Sequence, residues 1–160
     1  MTFTSGWRRY DPRYGGRIER ADPPRARNAA GSRRTREALT AIGFDLQGYI
    51  QRSKLSGQVL HQRSGWLSSH VHPQTTDGGT TITTVVGVDA SAVPYARIHE
   101  YGGTITAKRA KYLRFMTADG SWHMVRSVTM PERSYMRSGL ADKRDAYVEQ
   151  MRNAARSAAA

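Results

Sequence analysis

The chain is 160 residues long, carries 25 lysines and arginines against 13 acidic residues for a net charge of +12, and contains no cysteine. That length supports one core, and the lack of cysteine excludes a disulfide framework, a thiolate nucleophile and cysteine-based zinc sites. No run of eighteen apolar residues occurs and the N-terminus lacks the apolar stretch of a secretory signal, so neither a membrane span nor export by that route is expected; the excess of cations favours an anionic partner, either nucleic acid or an acidic protein surface.

The first 36 residues hold ten arginines against Asp11, Glu19 and Asp22. With Pro12, Pro23, Pro24, four glycines and few aliphatics, residues 1–32 have a composition that does not offset the entropy of ordering a chain by itself. The expectation is an extended basic arm over 1–32 and one domain over 33–157. Trp7, Tyr10 and Tyr14 stand among Arg8, Arg9, Arg13 and Arg17 as apolar anchors, so the arm is read as one that contacts protein.

From about Ser32, Leu39, Ile42, Leu46, Tyr49 and Ile50 recur at three- and four-residue steps and predict a helix, with Ser32 or Thr35 as its cap. Gly43 and Gly48 each weaken it by about 1 kcal/mol relative to alanine, which marks them as points of close approach. Leu67, Ser69 and Val71 alternate with Trp66, Ser68 and His70 and predict a strand. Asp77-Gly78-Gly79 predicts a turn, and Ile82, Thr84, Val86 and Val88 share one side of a second, antiparallel strand. Pro94 leads into a one- to two-turn helix with Tyr95, Ile98 and Tyr101 three apart, ended by Gly102-Gly103. A linker follows, then the clearest hairpin of the chain, Tyr112–Met116 and Trp122–Val128 around Asp119-Gly120. After Met130-Pro131 a last helix starts near Ser134 with Met136, Leu140, Tyr147, Val148 and Met151 on one side. The fold class is therefore α+β: a small antiparallel sheet with long N-terminal and C-terminal helices, a short middle helix and the extended basic arm.

Catalysis requires a constellation of groups. The chain has no phosphate-binding G-x-x-x-x-G-K-[ST] loop, no G-x-G-x-x-G after a strand, no G-x-S-x-G elbow and no H-E-x-x-H helix. His70 and His72, two apart, lack a third ligand nearby, so no metal site and no cofactor are assigned. His99-Glu100 diverge by about 100° on a helix and are read as a surface histidine and an interface hydrogen-bonding group. Lys108, Arg109 and Lys111 give the linker a basic tip, read either as a solvated loop or as one facing DNA phosphates or an acidic neighbour. Tyr112 and Trp122 offer faces on which bases stack, but at strand positions they are read first as core or interface residues.

Three segments taken in order resemble a family, the tail-completion or head-tail joining proteins of long-tailed phages, also described as virion morphogenesis or minor tail components. Arg63-Ser64-Gly65-Trp66-Leu67-Ser68-Ser69 is similar to its S/T-G-x-L-x-x-S segment. Val93-Pro94-Tyr95-Ala96-Arg97-Ile98-His99-Glu100-Tyr101-Gly102-Gly103, after the strand with Val86-Gly87-Val88, resembles its P-Y-A-x-x-H-E-[FY]-G segment. Met130-Pro131-Glu132-Arg133-Ser134-Tyr135-Met136-Arg137-Ser138-Gly139-Leu140 resembles its I-P-x-R-P-[FY]-[LM] lead into the C-terminal helix, with Ser134 in place of the proline. The resemblance covers about residues 34–152.

It implies a small α+β protein without enzymatic activity, resident in the virion neck after synthesis in the host cytoplasm. Such a subunit assembles in a ring, commonly a hexamer, that joins the head or connector side to the tail and surrounds a channel crossed by genomic DNA without sequence specificity. Partners implied are copies of itself, the adjacent head-closure or connector proteins, and tail-terminator or tail-tube proteins. Trp66, Tyr95, His99, Tyr101, Arg133 and Tyr135 are the implied ring or partner interface; none is catalytic. Competing expectations are a small basic RNA-cleaving toxin, which needs groups such as His99 and His123 to converge in one cleft, and a plain nucleic-acid-binding module.

Overall fold

The structure, a computed structural model, describes residues 17–18, 29–61, 64–79, 81–117 and 119–159. It has mixed helices and small antiparallel sheets, as the sequence pattern predicts, with a long helix towards each end. The first of these, α1 (Ala29–Tyr49), begins before Ser32 and continues into a π-helical turn at Ile50–Lys54, where Leu55 N donates to Ile50 O at 2.9 Å. Leu39, Ile42, Leu46 and Ile50, spaced by one helical turn, are its buried stripe.

That stripe lies on a three-stranded antiparallel sheet ordered β1 (Arg17–Ile18), β3 (Ile82–Val88), β2 (Val71–Asp77). Ile82, Thr84, Val86 and Val88 of β3 alternate towards the core, as period two requires. Thr84 is polar and fully buried, so its hydroxyl needs a partner; it pairs with Thr75 Oγ1 at 2.8 Å, which also accepts from Thr40 of α1 at 3.2 Å. Gly43 lets α1 come this close: a Cβ there would stand 2.7 Å from Thr84 Cγ2. At Gly48 the crowding atoms belong instead to the flexible Arg52 side chain of the same helical segment.

The alternation over residues 66–71 predicts a strand, but the chain makes a helical turn there, α2 (Trp66–Ser69), and β2 begins only at Val71. Two local effects override the pattern. Gly65 takes φ 71°, which turns the chain, and Ser69 donates through both its amide to Gly65 O (2.9 Å) and its hydroxyl to Trp66 O (2.9 Å). Gln47 of α1 and Gln51 of the π-helical turn hold this junction by donating to Val71 O (2.7 Å) and Ser68 O (2.8 Å).

The short helix α3 (Ala96–Tyr101) and the C-terminal helix α4 (Met136–Ala159) follow the predicted pattern. Helix α4 packs along α1, burying Met136 and Tyr147. Two phenols cross the interface: Tyr147 donates to Asp45 and Tyr49 to Asp142, each at 2.7 Å. Nearly buried Lys54 pairs with Asp142 at 2.6 Å, and Gly139 admits Ile50 so closely that a Cβ would meet it at 2.9 Å.

Between α3 and α4 the chain forms a ribbon of two nested antiparallel pairs. The outer pair joins β4 (Gly103–Thr106) to β7 (Ser127–Met130); the inner joins β5 (Leu113–Met116) to β6 (Trp122–Val125). The hairpin around Asp119-Gly120 is thus present, and Gly120 supplies the required positive φ of 85°. The linker reading of residues 103–112 needs correction, because its first four residues are strand β4, paired with β7 from Gly103↔Met130 to Thr106↔Ser127. With one aliphatic residue, that strand owes its existence to its partner.

Candidate interaction surfaces

The segment Tyr95–Gly103 and the lead into α4 form one brace, centred on Glu100. The Glu100 carboxylate is only 2% exposed and accepts five hydrogen bonds. Oε2 takes the backbone amides of Tyr135 (2.8 Å) and Met136 (2.9 Å). Oε1 takes the Arg137 amide (3.0 Å), Arg137 Nε (3.1 Å) and the Ser134 hydroxyl (2.7 Å). The first amides of a helix have no internal acceptor, and its N-terminal end favours negative charge, so a carboxylate from α3 satisfies both demands of α4 at once. Ser134, which replaces the proline of the resembling family, is itself one of these donors.

Arg137 completes the brace. Its Nη2 donates to Glu100 O at 3.0 Å and to Glu132 at 2.7 Å, and its guanidinium lies 4.6 Å over the Tyr101 ring. Arg133 N donates to His99 O at 2.8 Å. Gly102 is required where the two segments touch: its φ is 65° and a Cβ would fall 2.7 Å from Glu132 N. Glu100 is therefore a structural anchor and not the interface hydrogen-bonding group expected of it. Its spacing was the available signal, since it falls on the buried side of α3, four residues after buried Ala96.

Beside the brace lies a half-open cleft of about 350 Å³. Leu55, Leu60 and Leu67 form its apolar wall, and Trp66, Tyr95, His99 and Arg133 also line it. Four of the six expected interface residues thus meet at one place. Trp66 and Tyr95 remain exposed there, with Trp66 Nε1 donating to Ala92 O at 3.3 Å. His99 packs edge-on against Tyr95 with 5.9 Å between ring centroids, and its Nδ1 is buried without a hydrogen-bond partner. Burial, reinforced by the Arg133 charge, holds its pKa below the ordinary histidine value. The other two lie elsewhere: Tyr101 is under Arg137, and Tyr135 is 2% exposed, a core residue rather than an interface one.

The ribbon is the second surface. Register places Arg114 opposite Met124 and Met116 opposite Trp122, so these four side chains share one face. Met116, Trp122 and Met124 are 56%, 61% and 63% exposed, and Arg114 lies 4.4 Å over the Trp122 ring. On the opposite face Phe115 stacks on His123 at 5.7 Å. Lys108, Arg109 and Lys111 are exposed in the bend between β4 and β5, with Lys111 5.6 Å from the Tyr112 ring centroid. Among the described residues, no ribbon cation forms an ion pair, and the one ribbon carboxylate, Asp119, is held by Thr117 and Ser121 within its own turn.

Trp7, Arg8, Arg9, Tyr10, Arg13 and Tyr14 lie outside the described residues, whereas Arg17 stands in β1 opposite Val85. His70 sits at the end of α2 with its Nδ1 2.8 Å from Trp66 O, and its ring centroid is 6.5 Å from that of His72. Among the described residues no group of three or more histidine, cysteine, aspartate or glutamate side chains is arranged to hold a metal ion. His99 lines the cleft while His123 stands on the ribbon, so the structure does not bring this pair into one cleft. No described helix is long and apolar enough to cross a membrane. No family model, curated protein or solved structure matches the chain.

Proposed function

We propose that this chain is a non-enzymatic structural subunit of a tailed-phage virion neck, one copy in a ring that joins head to tail around the DNA channel. The observation that carries the proposal is the ribbon over residues 103–130, whose apolar face of Met116, Trp122 and Met124 is left open by the rest of the chain. A two-stranded ribbon is marginal alone in water, and exposed methionine, tryptophan and arginine together are the composition of a protein interface core. A ring supplies the missing partner through a closing, heterologous contact between copies.

The resembling segments add support, because their Glu100, Gly102 and Arg137 build the contact that sets α3 against α4. In this reading the arm arginines meet the adjacent neck proteins. Lys108, Arg109 and Lys111 face the lumen, where a modest number of phosphate contacts avoids retarding genome passage. Electron microscopy of the purified chain tests the proposal: closed rings with a lumen wide enough for duplex DNA are expected, and particles that remain single at high concentration would reject it.

A further inference from the structure

We infer that the tip of each ribbon seats in the cleft of a second copy, with Asp119 against Arg133 and Trp122 against the leucine wall. The inference rests on the ring reading and deepens it: a closing head-to-tail contact needs two unlike surfaces, and the cleft is the surface that answers the ribbon. The same chain's tip does not fill the cleft, since no ribbon residue lines it. Arg133 follows directly on the root of the ribbon, just past Met130 at the end of β7, whereas Trp122 begins β6. The eight residues from Trp122 to Met130 span up to about 26 Å as strand, so tip and cleft lie at opposite ends of the ribbon.

Charge is complementary. The cleft lining includes His61, His99 and Arg133 and no carboxylate. Arg133 is exposed and forms no ion pair among the described residues. An occupant with an acidic group beside an apolar one therefore fits. The ribbon carries that combination at its tip, where Asp119, its single carboxylate, lies in the turn between Met116 and Trp122, the last ladder pair. Hydrogen bonds from Thr117 and Ser121 hold the Asp119 carboxyl below the usual carboxylate pKa range, so it is ionised. The ribbon cations stand behind it: Arg114 is two residues further from the turn than Met116, and Lys108, Arg109, Lys111 and Arg126 lie outside the inner pair altogether.

Shape agrees. Trp122 and Met116 are exposed, and a Cβ at Gly120 would meet nothing within 4 Å, so the tip is open on all sides. The cleft, about 350 Å³, is at the small end of the range that encloses a ligand-sized group, about 300–1,000 Å³. It suits one indole and its neighbours rather than a broad protein face, and Trp66 and Tyr95 on its rim offer aromatic contacts to that indole. The one buried side-chain atom without a hydrogen-bond partner among the described residues, His99 Nδ1, belongs to the same lining, which marks the cleft as incomplete in the single chain.

Sedimentation of full-length variants tests this in two ways. Asp119→Arg and Arg133→Asp are each expected to raise the concentration for half-assembly at least about tenfold, and the two together in one chain to return it to within about threefold of the parent. The second experiment leaves the turn intact. Met116→Ser/Trp122→Ser/Met124→Ser and Trp66→Ser/Arg133→Asp are each expected to be monomeric alone, and when mixed to form one-to-one dimers that do not grow, because each retains one working surface. Charge-reversed chains that assemble like the parent, or recovery in neither the double variant nor the mixture, would overturn the inference while a parent oligomer leaves the ring reading standing. A monomeric parent would overturn both.

Discussion

The helical body and the ribbon solve opposite problems. In the body, polar groups taken from water find partners inside the chain, His99 Nδ1 excepted: Glu100 has five donors, Lys54 has Asp142, and Thr84 has Thr75. In the ribbon, five cations find no carboxylate among the described residues, and three large apolar side chains face outwards. A chain that satisfies one region and leaves another open has its folding information in the first, and the second is the surface proposed here for recognition.

The sharpest way to break the comparison is at Glu100. Replacing it with alanine strands the Tyr135, Met136 and Arg137 amides and the Arg137 charge, and is expected to cost about 3–5 kcal/mol, read by urea or thermal unfolding. Next is a pair of glycines. Gly102→Ala puts a Cβ 2.7 Å from the Glu132 backbone nitrogen at a φ of 65°, while Gly120→Ala in the ribbon turn meets nothing within 4 Å. Gly102→Ala should therefore cost about 2–3 kcal/mol and Gly120→Ala about 1 kcal/mol, both from chemical denaturation.

A smaller effect concerns pH. Burial lowers the His99 pKa in the folded chain, so the unfolded chain binds more protons near the ordinary histidine value. The contribution of His99 is whole above about pH 6.5 and is lost as pH falls through the lower, folded pKa. The difference in thermal midpoint between parent and His99→Gln should shift in that window and be flat above it. The smallest effect on stability lies in the ribbon: at protein concentrations too low for assembly, Trp122→Ser should change unfolding free energy by no more than about 0.5 kcal/mol, because Trp122 is exposed in the single chain.

The sequence pattern was informative where a single element carries its own period. The stripe Leu39, Ile42, Leu46, Ile50 marks α1, the alternation from Ile82 to Val88 marks β3, and the Asp-Gly turn marks the inner hairpin. It was misleading at residues 66–71, where serine hydroxyls and a left-handed Gly65 outweigh alternation, and silent at β4, whose stability depends on β7. The role of Glu100 was hidden for the same reason, since the donors to its carboxylate lie more than thirty residues away, at the start of α4 and just before it. Trp66, Tyr95, His99 and Arg133 were legible as a set but not as a cleft, because Leu55 and Leu60 enter it only after the π-helical turn.

The account turns on the ribbon as a shared surface, and sedimentation of the full chain beside its Met116→Ser/Trp122→Ser/Met124→Ser variant tests this most directly. The parent is predicted to sediment as one discrete closed oligomer and the variant as a folded monomer whose unfolding midpoint, unlike the parent's, does not depend on protein concentration. A monomeric parent, or a variant that assembles as well as the parent, would contradict it.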